Sequence, residues 1–127
     1  MPTQRNLMGT GCSPLQAQAS VGIPALSQTA AGNSLATALA APSDFMIFTT
    51  VAASTGVRLP ADSTGSVNLA DSFIVVNHGA NTLSVYPGTS AGTIANGSAG
   101  AAFSVAATKT ATFTYLSSDN WAASLSA

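Results

Sequence analysis

One histidine, one cysteine and four aspartates are the side chains of this 127-residue sequence suited to acid–base, nucleophilic or metal chemistry. His78 and Asp71, with one of the many serines, would supply the parts of a hydrolytic triad. No nucleophile elbow or oxyanion-hole glycine motif accompanies them. Asn77-His78-Gly79-Ala80-Asn81 reads instead as a turn joining two strands, with Gly79 able to take a positive φ. Cys12 lies between Gly11 and Ser13 with no second Cys and no nearby His, so neither a zinc site nor an activated thiol is expected, and no internal disulfide can form.

The aspartates, Asp44, Asp62, Asp71 and Asp119, are scattered, each beside an expected turn or strand start where Asp commonly hydrogen-bonds the backbone. Their spacing does not mark the converging carboxylate pair of a glycosidase. Gly88-Thr89-Ser90-Ala91-Gly92 lacks the lysine of a phosphate-cradling loop and opens no helix. Tyr86 and Trp121 offer aromatic faces of the kind that suit sugar rings. The alternation of Trp121 with Ala123 and Leu125 fits a packing or self-association anchor better. The expectation is a protein with no catalytic residue, no metal and no cofactor.

The elements that hold these residues are readable from apolar periodicity. Phe45, Ile47 and Val51 fall on one side of a strand and Met46 and Phe48 on the other. Apolar pairs flank a single residue at Val57/Leu59, Val67/Leu69, Leu83/Val85, Phe103/Val105 and Phe113/Tyr115. A period of two places one face on a core and the other outward, and the outward positions are mostly Ser, Thr, Asn and Ala. Turn residues at 77–81, Pro87-Gly88, Asn96-Gly97 and Ser118-Asp119-Asn120 separate the runs, the last forming a hairpin. Short strands so spaced predict an all-β domain, a small antiparallel β-sandwich or barrel of seven or eight strands over residues 43–127.

Residues 1–42 differ. They contain none of the eight aromatic residues, and no charged residue lies between Asn6 and Ser43. They read as a long N-terminal arm with at most short helices. One candidate follows Ser13-Pro14 and runs through Ala19; a second segment, Ser34–Ala41, is compatible with a helix or a strand. The apolar residues of the arm favour ordering on a partner over a disordered tail.

Charge is scarce throughout. Three basic and four acidic residues make 6% of the chain, against about 25% in a typical soluble domain. No apolar run is long enough for a spanning helix, and no Lys/Arg patch exists to neutralise phosphates, so neither a membrane nor a nucleic acid is an expected partner. The opening residues lack the continuous apolar stretch of a secretory signal, and synthesis in the cytoplasm without export is the expectation. Self-assembly and a neutral hydroxyl-rich exterior remain.

Several segments carry a resemblance. Thr3-Gln4-Arg5-Asn6-Leu7-Met8-Gly9, Thr55-Gly56-Val57-Arg58-Leu59-Pro60, the run from Asp71 to Asn81, Leu83-Ser84-Val85-Tyr86-Pro87-Gly88 and Ile94-Ala95-Asn96-Gly97 together resemble small proteins encoded among the head genes of tailed bacteriophages. The resemblance implies a capsid decoration (cement) protein on the exterior of the virion, with the major capsid protein as partner. It also implies symmetric self-association, a trimer before a dimer. On that basis Gln4, Arg5, Asn6, Leu7, Met8, Leu15, Val21, Ile23 and Leu26 are the expected capsid contacts, with Tyr86 and Trp121 as anchors of self-association or packing. The alternative is a tail-fibre, baseplate or head-fibre module that binds host surface glycan.

Overall fold

The structure, a computed structural model, describes residues 24–61 and 67–126. The first expected helix, Cys12 and Asp62 lie outside the described residues.

Among the described residues every regular element is a strand. There are ten: β1 (Ala25–Thr29), β2 (Leu39–Ala40), β3 (Phe45–Thr50), β4 (Gly56–Arg58), β5 (Ser72–Asn77), β6 (Leu83–Tyr86), β7 (Thr93–Ile94), β8 (Phe103–Val105), β9 (Thr110–Ser117) and β10 (Asn120–Leu125). They form a six-stranded sheet, ordered β1-β3-β5-β9-β10-β7, and a four-stranded sheet, ordered β2-β4-β6-β8. The all-β expectation holds, with more strands than seven or eight. The additional ones come from the stretch read as arm: Ser34–Ala41 holds a turn and then β2, and β1 pairs with β3.

The purely antiparallel expectation is corrected. The ladders β1–β3, β3–β5, β2–β4, β4–β6 and β7–β10 are parallel. Only β5–β9, β6–β8 and β9–β10 are antiparallel. The cause is the path of the chain, which alternates between the sheets from β1 to β9. From β1 to β6 each crossover passes through the opposite sheet and the next strand in the same sheet runs in the same direction; β8 reverses this, pairing antiparallel with β6. Through β6 the winding is that of a three-turn solenoid. Its turns are unequal: Leu39 pairs with Val57 and Val57 with Val85, steps of 18 and 28 positions, so no fixed sequence period marks them.

Both sheets fill one core. Met46 and Phe48 of β3, Val75 of β5 and Phe113 of β9 meet Val57, Leu83, Val85 and Val105 of the smaller sheet, all fully buried. The alternation of β9, with Ala111, Phe113 and Tyr115 buried between half-exposed threonines, is the sequence pattern made physical.

The corner from β5 to β6 is pinned by the buried Asn77. Its Nδ2 donates to Asn81 O (2.9 Å) and Val105 O (2.8 Å), and its Oδ1 accepts from Gly79 N (2.9 Å). Asn81 Nδ2 in turn donates to Val51 O at the end of β3 (2.9 Å). Gly79 is not among the residues with positive φ. It is needed for close approach, because a Cβ there would lie 2.6 Å from the Val51 side chain. At the β9–β10 hairpin, Ser118 (φ 50°) and Asp119 (φ 61°) have the two positive φ values that a type I′ turn requires.

Candidate functional site

The fold separates the groups that would have formed a hydrolytic centre. Asp71 precedes β5 and His78 follows it, so a six-residue strand of roughly 20 Å stands between them. His78 is exposed at the corner. Asp71 Oδ2 accepts from Asn68 N at 2.8 Å, Asp119 Oδ2 from Thr89 Oγ1 at 3.4 Å and Asp44 Oδ1 from Ser43 Oγ at 3.4 Å. These three bonds fit the turn-shaping role expected of Asp. Among the described residues no three His, Cys, Asp or Glu side chains are grouped to hold a metal ion.

Trp121 is 1% exposed and makes T-shaped contacts with Phe73 and Tyr115, with ring centroids at 5.5 and 5.1 Å. Its place is in the core, out of reach of any sugar. Its buried Nε1 has no hydrogen-bond partner among the described residues.

The outward faces of the two sheets carry the other candidate features among the described residues. On the six-stranded sheet, Phe45 and Ile47 point away from the buried Met46 and Phe48. They pair in register with Ile74 and Val76 of β5, giving two adjacent apolar rows. Ile74 and Val76 then pair with Thr112 and Thr110 of β9, where the face becomes hydroxylated. All six of these side chains are half-buried, and no helix of the described residues covers them. Parallel sheets are usually buried on both faces, and here the outward apolar rows are only partly buried among the described residues.

The outer face of the four-stranded sheet carries Ala40, Arg58 and Tyr86 side by side in register. The Tyr86 ring lies over Gly56, and its hydroxyl donates to Asn33 O at 3.2 Å. Arg58 donates through Nη1 to Leu35 O at 3.3 Å. Beside it is a recess of about 350 Å³ bounded by Ala40, Ala41, Pro60, Ala61 and Gly88.

Of the expected capsid contacts, Gln4, Arg5, Asn6, Leu7, Met8, Leu15, Val21 and Ile23 lie outside the described residues. Leu26 sits on the edge strand β1 and is 57% exposed. Tyr86 is half-exposed on the smaller sheet. Sequence reasoning assigned no role to Arg58 or to the Phe45/Ile74 and Ile47/Val76 rows. Arg58 did carry a signal, as the one cation placed inside an alternating strand segment, whereas the rows exist only through pairing. Against family models, curated proteins and solved structures, the chain shows no match.

Proposed function

We propose that the protein is a structural component of a tailed-phage virion, a capsid decoration (cement) protein that binds the outer capsid surface and associates with copies of itself. The observation that carries this reading is the apolar, partly exposed outer face of the six-stranded sheet, with Phe45 beside Ile74 and Ile47 beside Val76. A second copy of the chain is its occupant. Packing two such faces removes apolar surface from water without bringing charges together, and the chain has few charges to repel a neighbour. Contacts of this kind are screened little by salt, as a shell protein requires. The resemblance of the segments from Thr3 to Gly97 points the same way, and residues 1–23 with Leu26 supply the capsid-facing arm. Self-association is to a trimer at three-fold positions, with a dimer as the alternative.

Co-sedimentation with undecorated capsids tests the reading. The full chain is expected to pellet with capsids at both low and high NaCl, and a chain lacking residues 1–23 to remain in the supernatant. The cut spares β1 and β2, so every described strand is kept. Undiminished binding of the shortened chain, or steep release by salt, overturns the arrangement.

A second reading, a fibre or baseplate module for host glycan, has support from one place. Tyr86 is half-exposed beside Arg58 on the outer face of the smaller sheet. A specific hit on a glycan array, lost in Tyr86→Ala, would favour it over the capsid reading.

A further inference from the structure

We propose that the recess beside Arg58 is a binding site for a carboxylate, carried by an acidic side chain of an extended peptide laid along the β2 edge of the four-stranded sheet. Arg58 is the one charged residue on the wall of this cavity, which is otherwise built from Ala, Leu, Pro and Gly. The guanidinium has five N–H donors. Among the described residues, one neutral carbonyl, Leu35 O at 3.3 Å, is its hydrogen-bond partner. A half-buried guanidinium with a single long bond keeps a planar fork for an anion, and a carboxylate matches that fork with two parallel hydrogen bonds.

One wall of the recess is closely packed. A Cβ on Gly88 would meet Ala61 Cα and Pro60 O at 2.6 Å, so the bare glycine lets the segment after β6 lie directly on the segment after β4. The volume of about 350 Å³ falls at the small end of ligand cavities. That suits a side chain and its flanking backbone.

The edge decides in favour of a peptide. β2 is the terminal strand of its sheet. Ala41 N donates inward to Arg58 O at 2.9 Å, so by alternation the peptide groups of Ala40 point the other way, off the edge. An added strand would bond there and set alternate side chains over the recess. The inference does not depend on the capsid reading, and its test uses no capsid.

The experiment is a titration of the ¹⁵N-labelled full chain with acetyl-Ala-Asp-Ala-amide, its Asn counterpart, glucuronate and glucose. The Asp peptide is expected to shift the amides of Ala40, Ala41, Ala61 and Gly88 saturably. The Asn peptide should bind about tenfold more weakly or worse, the loss of one charge-assisted hydrogen bond. Arg58→Gln should weaken the Asp peptide by about the same factor, and Arg58→Lys by less, since Lys keeps the charge without the fork. Equal response to the Asp and Asn peptides overturns the proposal, as does a response to glucuronate alone or no saturable shift at all. The peptide comparison on the unaltered chain stands even if an Arg58 variant fails to fold.

Discussion

The Tyr86 ring rests on the bare backbone of Gly56: a Cβ at Gly56 would come within 2.9 Å of Tyr86 Cε2 and would also strike Ser84 O. Strands β4 and β6 pair at this point, with Gly56 opposite Ser84. The bare glycine therefore lets the Tyr86 ring lie close against the β4 backbone.

Gly56→Ala should destabilise the protein by roughly 1–3 kcal/mol, the usual cost of forcing a methyl into a filled site. Urea unfolding measures it. Because Tyr86 must also move, Gly56→Ala combined with Tyr86→Ala should cost less than the sum of the two single changes. Strict additivity would show that the ring does not lean on the glycine.

Asn77 makes its three side-chain bonds inside the core, two as donor and one as acceptor. Asn77→Asp keeps the shape but turns both donor contacts into an oxygen facing a carbonyl. The cost should be on the order of 3 kcal/mol near neutral pH. Burial raises the folded-state pKa of such a carboxyl above its unfolded value of about 3.9. The folded state then holds the proton more tightly, so the variant should lose stability as pH rises through that value and recover relative to the parent below it. A penalty independent of pH between 3 and 7 would contradict this account.

Thr108 has φ 69°, in the left-handed region where a β-branched residue is strained. Its N–H donates to Asn77 O at 2.8 Å, which holds it there. Thr108→Gly should stabilise by about 0.5–1 kcal/mol, the relief of strain exceeding the added freedom of the unfolded chain. A higher melting temperature in calorimetry is the expected outcome; a lower one would mean that the threonine side chain contributes more than its strain costs.

Ile74→Lys with Val76→Lys places two cations on the outward rows of the six-stranded sheet. Both positions are half-buried, so the folded protomer should lose only about 1–2 kcal/mol. Sedimentation velocity should show the 12.5 kDa protomer replacing a larger species. An unchanged oligomer would move the self-contact elsewhere.

Much of the local structure was legible before any coordinates. The alternation in Thr110–Ser117 and Leu83–Tyr86 identified strands and their buried faces, and Ser118-Asp119 marked a hairpin that exists. Asp44, Asp71 and Asp119 were readable as turn formers. Less legible was the stretch from Ala25 to Ala40: β1 and β2 are short, carry no aromatic residue, and are strands because β3 and β4 stand ready to pair with them. The recess at Arg58 was invisible for a similar reason, since Ala40, Arg58 and Gly88 come together only through three strands in register.

By itself, the sequence determined that the protein is built of strands, which side of most strands is buried, and that its exterior is nearly without charge. These are local properties: a period of two is written in neighbouring residues, and charge is a matter of composition. Tertiary structure alone decided which strands pair, in which direction, and in which sheet. Alternation gives a strand a face but no partner. The partner follows from the length of each crossover and from the shared core over which the two sheets close, and so the apolar rows of Phe45, Ile47, Ile74 and Val76 became a surface only when β3 and β5 lay side by side.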